Sequence, residues 1–296
     1  MKFGKTMPSQ ATINSKISKE NIKFYKEHGF LIAENLFSKE EIFQLKEETL
    51  NIFKGKYGTI DGLQKVKNKD SEFEILNKYL CIHFPHKLSK VIFNYLSHKK
   101  ITNVLKKIIS LNVKAVQSML FVKAPGKPGQ SWHQDEYFIP TRDMSLTGVW
   151  IAIDDAYIEN GCLWVVPGSH KPALLHTRIA YDGDEYGETY TIDTKHIDKS
   201  KLVPVEIEKG GVVFFNGYLL HSSKRNKSKD SFRTSLVNHY MSAESYLPWD
   251  QDGKYELTED LRDIVMVAGD DPYAHKGVVD VLQPYLRPDL SEKSIT

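Results

Sequence analysis

Apolar and polar positions recur with a helical period in the first third of the chain. Residues 18–28 place Ile22 and Tyr25 on one face, and Gly29 follows them as a C-cap. Residues 30–33 are all apolar, which is the pattern of a short buried strand. This part of the sequence therefore predicts a helix followed by a strand.

A second helix is predicted behind the capping box Ser38-Lys39-Glu40-Glu41, where Ile42 and Leu45 lie at helical spacing. Residues 54–71 are rich in Gly, Lys and Asp and predict a loop. Two further amphipathic stretches follow, at about 72–80 and 87–109. Stripes of this kind are usually core contacts, so they carry no predicted chemistry.

From about residue 112, short apolar runs alternate with Gly, Pro, Asn and Asp turns. The predicted strands are 116–122, 148–153, 161–166, 211–215 and 233–240. The pair Asn160-Gly161 is typical of a tight hairpin. Several short strands of this kind predict a barrel or a sandwich.

These patterns predict an all-β core with a helical N-terminal annex, an α+β arrangement in a single domain of residues 1–296. Residues 1–111 would be mainly helical support, residues 112–243 the β core, and residues 244–296 a C-terminal wrap or lid. No repeat or clear linker divides the chain.

Composition narrows the function classes. The 40 basic and 38 acidic residues give a net charge of +2, so no general field attracts nucleic acid or a membrane surface. No apolar run approaches the ~20 residues of a membrane span, and no signal peptide is evident. The two cysteines, Cys81 and Cys162, cannot form a disulfide framework, which favours the cytoplasm. The expected partner is a small molecule, bound by a monomer or a small homo-oligomer.

The segment SWHQD, residues 131–135, carries the most specific chemistry. His133 and Asp135 are two residues apart, so on a strand their side chains point the same way. His221 lies downstream, just past an apolar strand, and could complete the set. Two imidazoles and one carboxylate with open positions are the ligands of non-haem Fe(II) oxygenases.

Arg233 follows His221 by twelve residues and opens the next predicted strand. A 2-oxo diacid needs a fixed cation at its far carboxylate, and arginine pairs with a carboxylate through two bonds. Arg233 is the candidate, with Ser223 as a possible hydroxyl donor. The alternative for Arg233 is a surface ion pair with Asp230.

Several segments together resemble the phytanoyl-CoA dioxygenase family. The strongest match is NGCLWVVPGSH at 160–170, supported by QSML at 117–120, WHQD at 132–135, GVWIA at 148–152 and YKEHGFL at 25–31. The resemblance covers residues 18 to 242. It implies a double-stranded β-helix, the jelly-roll or cupin-like barrel, with Fe(II), 2-oxoglutarate and O₂ as cofactor and cosubstrates.

The resemblance also assigns residues. It implies that His133, Asp135 and His221 bind the metal and that Arg233, helped by Ser223, holds the C5 carboxylate of 2-oxoglutarate. Trp150 and Gln117 would line the cosubstrate or substrate pocket. The implied reaction hydroxylates a C–H bond of a small organic substrate with release of succinate and CO₂. Since Asp135 is present, hydroxylation or desaturation is favoured over halogenation.

Two other functions stay open at this point. One is a cupin-like barrel that binds a metal or a small ligand without oxidising anything; Arg233 argues against it. The other is a zinc hydrolase that uses the same three ligands and a metal-bound water. The remaining histidines, among them His83, His86, His170 and His239, are interpreted as packing, surface or turn residues.

Overall fold

Antiparallel strands form the centre of the molecule in the computed structural model, which describes residues 7–13, 16–67, 69–245 and 263–287. The strands in these ranges are β1 Phe30–Ala33, β2 Cys81–His83, β3 Val113–Lys123, β4 Gln130–His133, β5 Thr147–Ala152, β6 Leu163–Val165, β7 Arg178–Ala180, β8 Tyr190–Ile192, β9 Val203–Val205, β10 Val212–Asn216, β11 His221–Ser223, β12 Arg233–Ser242, β13 Val265–Ala268 and β14 Tyr285–Arg287.

Two of the sheets form the jelly roll. The major sheet has the order β1-β10-β5-β12-β3-β2-β14, with β13 also paired to β3, and the minor sheet has the order β4-β11-β6-β9. Along the chain, β3 to β6 alternate between the two sheets, and β9 to β12 return through them in the same way. This double-sheet arrangement confirms the predicted double-stranded β-helix.

The α-helices of the described residues all precede the long strand β3. They are α1 Lys19–His28, α2 Lys39–Phe53, α3 Glu72–Leu76, α4 Lys90–Leu96 and α5 Lys99–Ile108. The predicted capping box of α2 is present, because Ser38 Oγ accepts the Glu41 N–H and the Glu41 carboxylate accepts the Ser38 N–H. Gly29 ends α1 at φ +83°, where a side chain would be strained.

The predicted stretch 87–109 is two helices instead of one. After α4 the backbone leaves the helix at Ser97, and His98 then starts α5 by accepting the Lys100 N–H on its ring Nδ1. A side-chain acceptor at this position satisfies an N–H that the new helix leaves free. The break lets Tyr240 of β12 donate its buried hydroxyl proton to the Leu96 carbonyl at 2.7 Å, which ties the helices to the major sheet.

The hairpin predicted at Asn160-Gly161 is wrong. The strands on either side, β5 and β6, belong to different sheets, so the turn carries the chain from one sheet to the other. Asn160 stabilises this crossing by accepting the Tyr157 N–H and donating to the Asp155 carbonyl. Gly161 has φ +82°, and a Cβ there would lie 2.3 Å from the Lys224 carbonyl oxygen. An Asn-Gly pair marks a turn but does not say which strands the turn joins.

The N-terminal and C-terminal parts are not separate from the core. Strands β1 and β2 join the major sheet, and β14 pairs with β2 at its edge. The division at residues 111 and 243 stays a prediction. The predicted wrap or lid lies partly outside the described residues. Trp249, interpreted from the sequence as a core or lid aromatic, also lies outside them. No helix in the described ranges is long and apolar enough to cross a bilayer.

Candidate metal centre

The minor sheet brings the two candidate histidines together. His133 is the last residue of β4 and His221 the first of β11, and the register of these strands pairs them directly. Asp135 is not on the strand as predicted, since β4 ends at His133 and Asp135 starts a short 3-10 turn. Gln134 between them is still extended at φ −128° and ψ 127°, so both side chains reach the same side.

The three side chains converge closely enough to share one ion. Oδ1 of Asp135 lies 3.6 Å from His133 Nε2 and 3.6 Å from His221 Nε2. One ligand atom from each residue falls within 4.8 Å of the others, and all three residues are buried. An ion about 2.1 Å from each ligand atom spans separations up to ~4 Å, so small rotations of the rings suffice to bind it.

Both imidazoles are held in the tautomer that a metal requires. His133 Nδ1 lies 2.6 Å from the Ser131 carbonyl and His221 Nδ1 lies 2.9 Å from the Leu219 carbonyl. A carbonyl only accepts, so each Nδ1 donates a proton to its carbonyl and each Nε2 is the nitrogen that faces an ion. Burial, with the neighbouring His221, lowers the pKa of His133 to about 3, so its ring is neutral.

Asp135 has a further partner that sequence reasoning interpreted as a packing histidine. His239 on β12 places Nε2 at 3.0 Å from Asp135 Oδ2. Burial alone would raise the pKa of Asp135, but the imidazoles of His221, His239 and His133 and this hydrogen bond outweigh it and lower the pKa. The carboxylate is therefore ionised, with Oδ1 directed at the histidine pair.

Arg233 is a buried cation beside this cluster. Only 4% of its surface is exposed, and its Nη1 donates to Ser235 Oγ at 2.9 Å. The guanidinium carbon lies 5.7 Å from the centre of the Trp150 ring. Within the described residues its Nε has no hydrogen-bond partner, and no carboxylate pairs with it, including Asp230. Burial lowers the pKa of Arg233 to about 10, which still leaves it charged at neutral pH.

Arg233 lines a pocket beside the cluster, which we call the Arg233 pocket. Ser223 and Lys123 line the same pocket. Ser223 Oγ accepts from Lys123 Nζ at 2.9 Å and from the Gln130 N–H at 3.1 Å, so its own proton remains to be donated. Lys123 is opposite Arg233 in the β3–β12 register. Burial and the nearby Arg233 lower its pKa well below the ordinary value. Lys123 was not predicted as a site residue, because its only signal in the sequence is a lysine that ends an apolar strand.

Gln117 does not line the Arg233 pocket but a second cavity that adjoins it at the cluster. Its Nε2 is 3.4 Å from Nδ1 of His83, and both line this cavity together with His133 and Asp135. His83, interpreted from the sequence as a packing or surface histidine, lies on β2. The two cavities adjoin at the cluster, since His133, Asp135 and His239 line both. Trp150, Ser223 and Arg233 line only the Arg233 pocket, and Gln117 lines only the second cavity.

Two histidines and one carboxylate converge in this jelly roll, and the pocket they line also contains a buried arginine without a carboxylate partner among the described residues. This arrangement is that of the mononuclear non-haem oxygenases as a class. Comparison with known proteins narrows this class. The family model of phytanoyl-CoA dioxygenase (PhyH) matches residues 25–235, which is most of the chain. The protein therefore belongs to the phytanoyl-CoA dioxygenase family, and the resemblance stated from the sequence is confirmed.

Individual relatives agree with this assignment. A phytanoyl-CoA dioxygenase domain-containing protein 1 from Danio rerio is 34% identical over 57% of this chain and 59% of its own length. Phytanoyl-CoA dioxygenase 1 from Oryza sativa subsp. japonica is 27% identical over 77% of this chain and 90% of its own length.

Solved structures support the fold. The non-haem α-ketoglutarate-dependent carbocyclase SnoK from nogalamycin biosynthesis superposes with a TM-score of 0.63 at 22% identity, covering 85% of this chain and 96% of that one. EctD from S. alaskensis, solved with 2-oxoglutarate and 5-hydroxyectoine, superposes with a TM-score of 0.62 at 20% identity, covering 79% of this chain and 80% of that one. The predicted jelly-roll fold, the oxygenase class and the use of iron, 2-oxoglutarate and O₂ are confirmed at the level of the family.

Proposed function

We propose that this chain is an Fe(II)- and 2-oxoglutarate-dependent dioxygenase that hydroxylates a C–H bond of a small organic molecule. His133, Asp135 and His221 would bind the iron, and Arg233 would bind the C5 carboxylate of 2-oxoglutarate. The unpaired Arg233 guanidinium carries this proposal. A buried charge is costly without a partner, so a site that keeps one is built for an anionic ligand.

The surrounding residues suit this ligand. Ser223 has a free proton to donate to the same carboxylate, and Lys123 holds the Ser223 hydroxyl in place. Trp150 stacks near the Arg233 guanidinium and restricts its motion. Bound iron and 2-oxoglutarate would supply the oxidising chemistry, with O₂ consumed and succinate and CO₂ released. The task of the chain is to orient these groups and exclude water.

The second cavity is the proposed place for the substrate, with Gln117 on its wall. A small molecule fits the chain better than a macromolecule, because the net charge of +2 provides no general attraction. Both cysteines are buried and unpaired, which supports our proposal that the enzyme works in the cytoplasm.

Titration of 2-oxoglutarate into the anaerobic Ni(II)-loaded protein tests the cosubstrate site, and succinate release with Fe(II) in air tests the activity. We expect saturable binding of 2-oxoglutarate, metal-dependent succinate, and loss of both in His133→Ala. Lys107→Gln, which removes an exposed cation, serves as the control and should behave as the wild type. Equal succinate release by the wild type and His133→Ala would refute the metal assignment.

The same measurements, together with metal analysis of the purified protein, separate the two alternative functions. A non-catalytic cupin-like protein would bind metal but release no succinate. A zinc hydrolase would retain zinc on purification and would not bind 2-oxoglutarate. Arg233 argues against both, because neither needs an unpaired guanidinium beside the metal.

A further inference from the structure

The second cavity has a volume of about 330 Å³ and shares His133 and Asp135 with the Arg233 pocket. Its wall combines apolar and polar side chains, including Met119, Trp132, Ile139, Gln117, Tyr285 and Arg178. Because Arg233 does not line it, the two cavities take different ligands. We call it the Arg178 cavity, since Arg178 is the feature that distinguishes it.

Most charges in the Arg178 cavity are already balanced. Arg287 is paired with Glu188, whose other oxygen accepts the Ser131 N–H. The ring of His83 is neutral, because burial and the nearby Arg287 lower its pKa to about 3. Asp135 faces the histidines and the metal they would share. None of these groups offers a free charge to a ligand.

Arg178 is different. No carboxylate within the described parts of the chain pairs with its guanidinium, and the groups around it are aromatic. The guanidinium carbon lies 4.9 Å from the ring centre of Tyr137, 5.1 Å from that of Tyr190 and 5.5 Å from that of Phe138. Three rings hold the cation in place without neutralising it, which leaves its N–H groups available to an anion.

We infer that the Arg178 cavity binds the substrate, and that the substrate is a small organic carboxylate whose negative group is bound by Arg178 and whose apolar body lies against Met119, Trp132 and Ile139. This inference rests on the proposed function, because it takes iron to bind at the cluster and 2-oxoglutarate to fill the Arg233 pocket. A planar guanidinium suits a carboxylate through two parallel hydrogen bonds.

The geometry also limits the length of the substrate. Phe138 lies 5.5 Å from the Arg178 guanidinium carbon and 6.4 Å, centre to centre, from the His133 ring. The guanidinium carbon is therefore within about 12 Å of that ring. The carbon that is oxidised should therefore lie within a short unbranched chain of the carboxylate, since no more than that distance separates the guanidinium from the His133 ring.

A matched set of probes tests this inference. Straight-chain carboxylates of four to ten carbons and the corresponding primary amides are titrated calorimetrically into the Ni(II)-loaded protein saturated with 2-oxoglutarate. Saturation blocks the Arg233 pocket, so the carboxylates report on the remaining cavity. We expect at least one carboxylate to bind at least tenfold more tightly than its amide, and this ratio to fall to near one in Arg178→Gln.

Two variants guard against trivial outcomes. Lys195→Gln removes an exposed cation shortly after β8 and should keep the ratio of the wild type. Arg178→Lys keeps the charge without the planar fork and should give an intermediate ratio, so it reports even if Arg178→Gln unfolds. The inference is wrong if no carboxylate binds, or if Arg178→Gln weakens carboxylate and amide equally, as a purely structural arginine would. Failure of 2-oxoglutarate itself to bind would instead overturn the proposed function.

Discussion

His239 Nε2 donates a hydrogen bond to Asp135 Oδ2 at 3.0 Å. The bond links β12 of the major sheet to the turn that follows β4 of the minor sheet. A carboxylate can only accept, so this ring nitrogen carries the proton. The other oxygen, Oδ1, is then the one that faces both His133 and His221. The two oxygens of Asp135 therefore have different roles: Oδ2 is held by His239, which we call the anchor, and Oδ1 is the candidate metal ligand.

Loss of this anchor should weaken metal binding. Removing the hydrogen-bond partner of a metal ligand typically costs ten- to a hundredfold in affinity, so we expect a loss of that size for Fe(II) or Ni(II) in His239→Phe. His239→Gln keeps a donor and should lose less. Competition with a chromogenic chelator measures both. His196→Phe, which changes an exposed histidine, should match the wild type; unchanged affinity in His239→Phe would show that the anchor is dispensable.

Arg233→Lys should separate cosubstrate binding from metal binding. The substitution keeps a positive charge but removes the planar fork and its contact with Trp150. We expect the apparent KM for 2-oxoglutarate to rise by tenfold or more, while the affinity for Ni(II) stays within twofold of the wild type. Succinate assays and metal titration check the two values. A parallel loss of both would mean that Arg233 supports the fold of the centre and not the cosubstrate.

Two adjacent serines on β11 should respond differently to removal of the hydroxyl. Ser223 Oγ accepts from Lys123 and Gln130, whereas the buried Ser222 Oγ has no hydrogen-bond partner among the described residues. Ser223→Ala removes the acceptor of the Gln130 N–H and one of the three acceptors of Lys123 Nζ. Loss of a hydrogen-bond partner of this kind costs about 1–3 kcal/mol. Ser222→Ala removes an unpaired group and should be neutral or stabilising. Urea denaturation measures both; equal free energies of unfolding in the two variants would contradict the assigned hydrogen bonds.

Much of the fold can be predicted from the sequence, because its signals are local. The capping box at Ser38, the C-cap at Gly29 and the short apolar runs of the strands each depend on a few neighbouring residues. The connection at Asn160-Gly161 could not be predicted in this way. Which strands a turn joins is decided by pairing across the sheets, and that information is spread over the whole chain.

The same distinction applies to the site. The spacing of His133 and Asp135 is visible locally, and His221 stands out as a histidine just past an apolar strand. Lys123 has no such local signal, because its place in the pocket depends on the strand register that sets it opposite Arg233. Arg178 lies between Thr177 and Ile179 in a segment with no motif, and only the three aromatic rings around it indicate a role.

The buried His86 should make the protein sensitive to mild acid. Its Nδ1 lies 2.6 Å from Ser118 Oγ, and burial, with the charge of Lys87, lowers its pKa from 6.5 to about 4. The unfolded chain takes up a proton below pH 6.5, while the folded chain resists until about pH 4. This stabilising contribution is therefore intact above pH 6.5 and is lost as the pH falls from 6.5 towards 4.

A shift of one pKa unit corresponds to about 1.4 kcal/mol, so the full effect is on the order of 3 kcal/mol. His86→Gln keeps a hydrogen-bonding group for Ser118 but does not titrate. We expect the free energy of unfolding to fall less steeply between pH 7 and 4.5 in His86→Gln than in the wild type, as measured by urea denaturation at a series of pH values. His196→Gln should retain the wild-type slope. If His86→Gln and the wild type lose stability in parallel, His86 is not the group whose neutral form the fold requires.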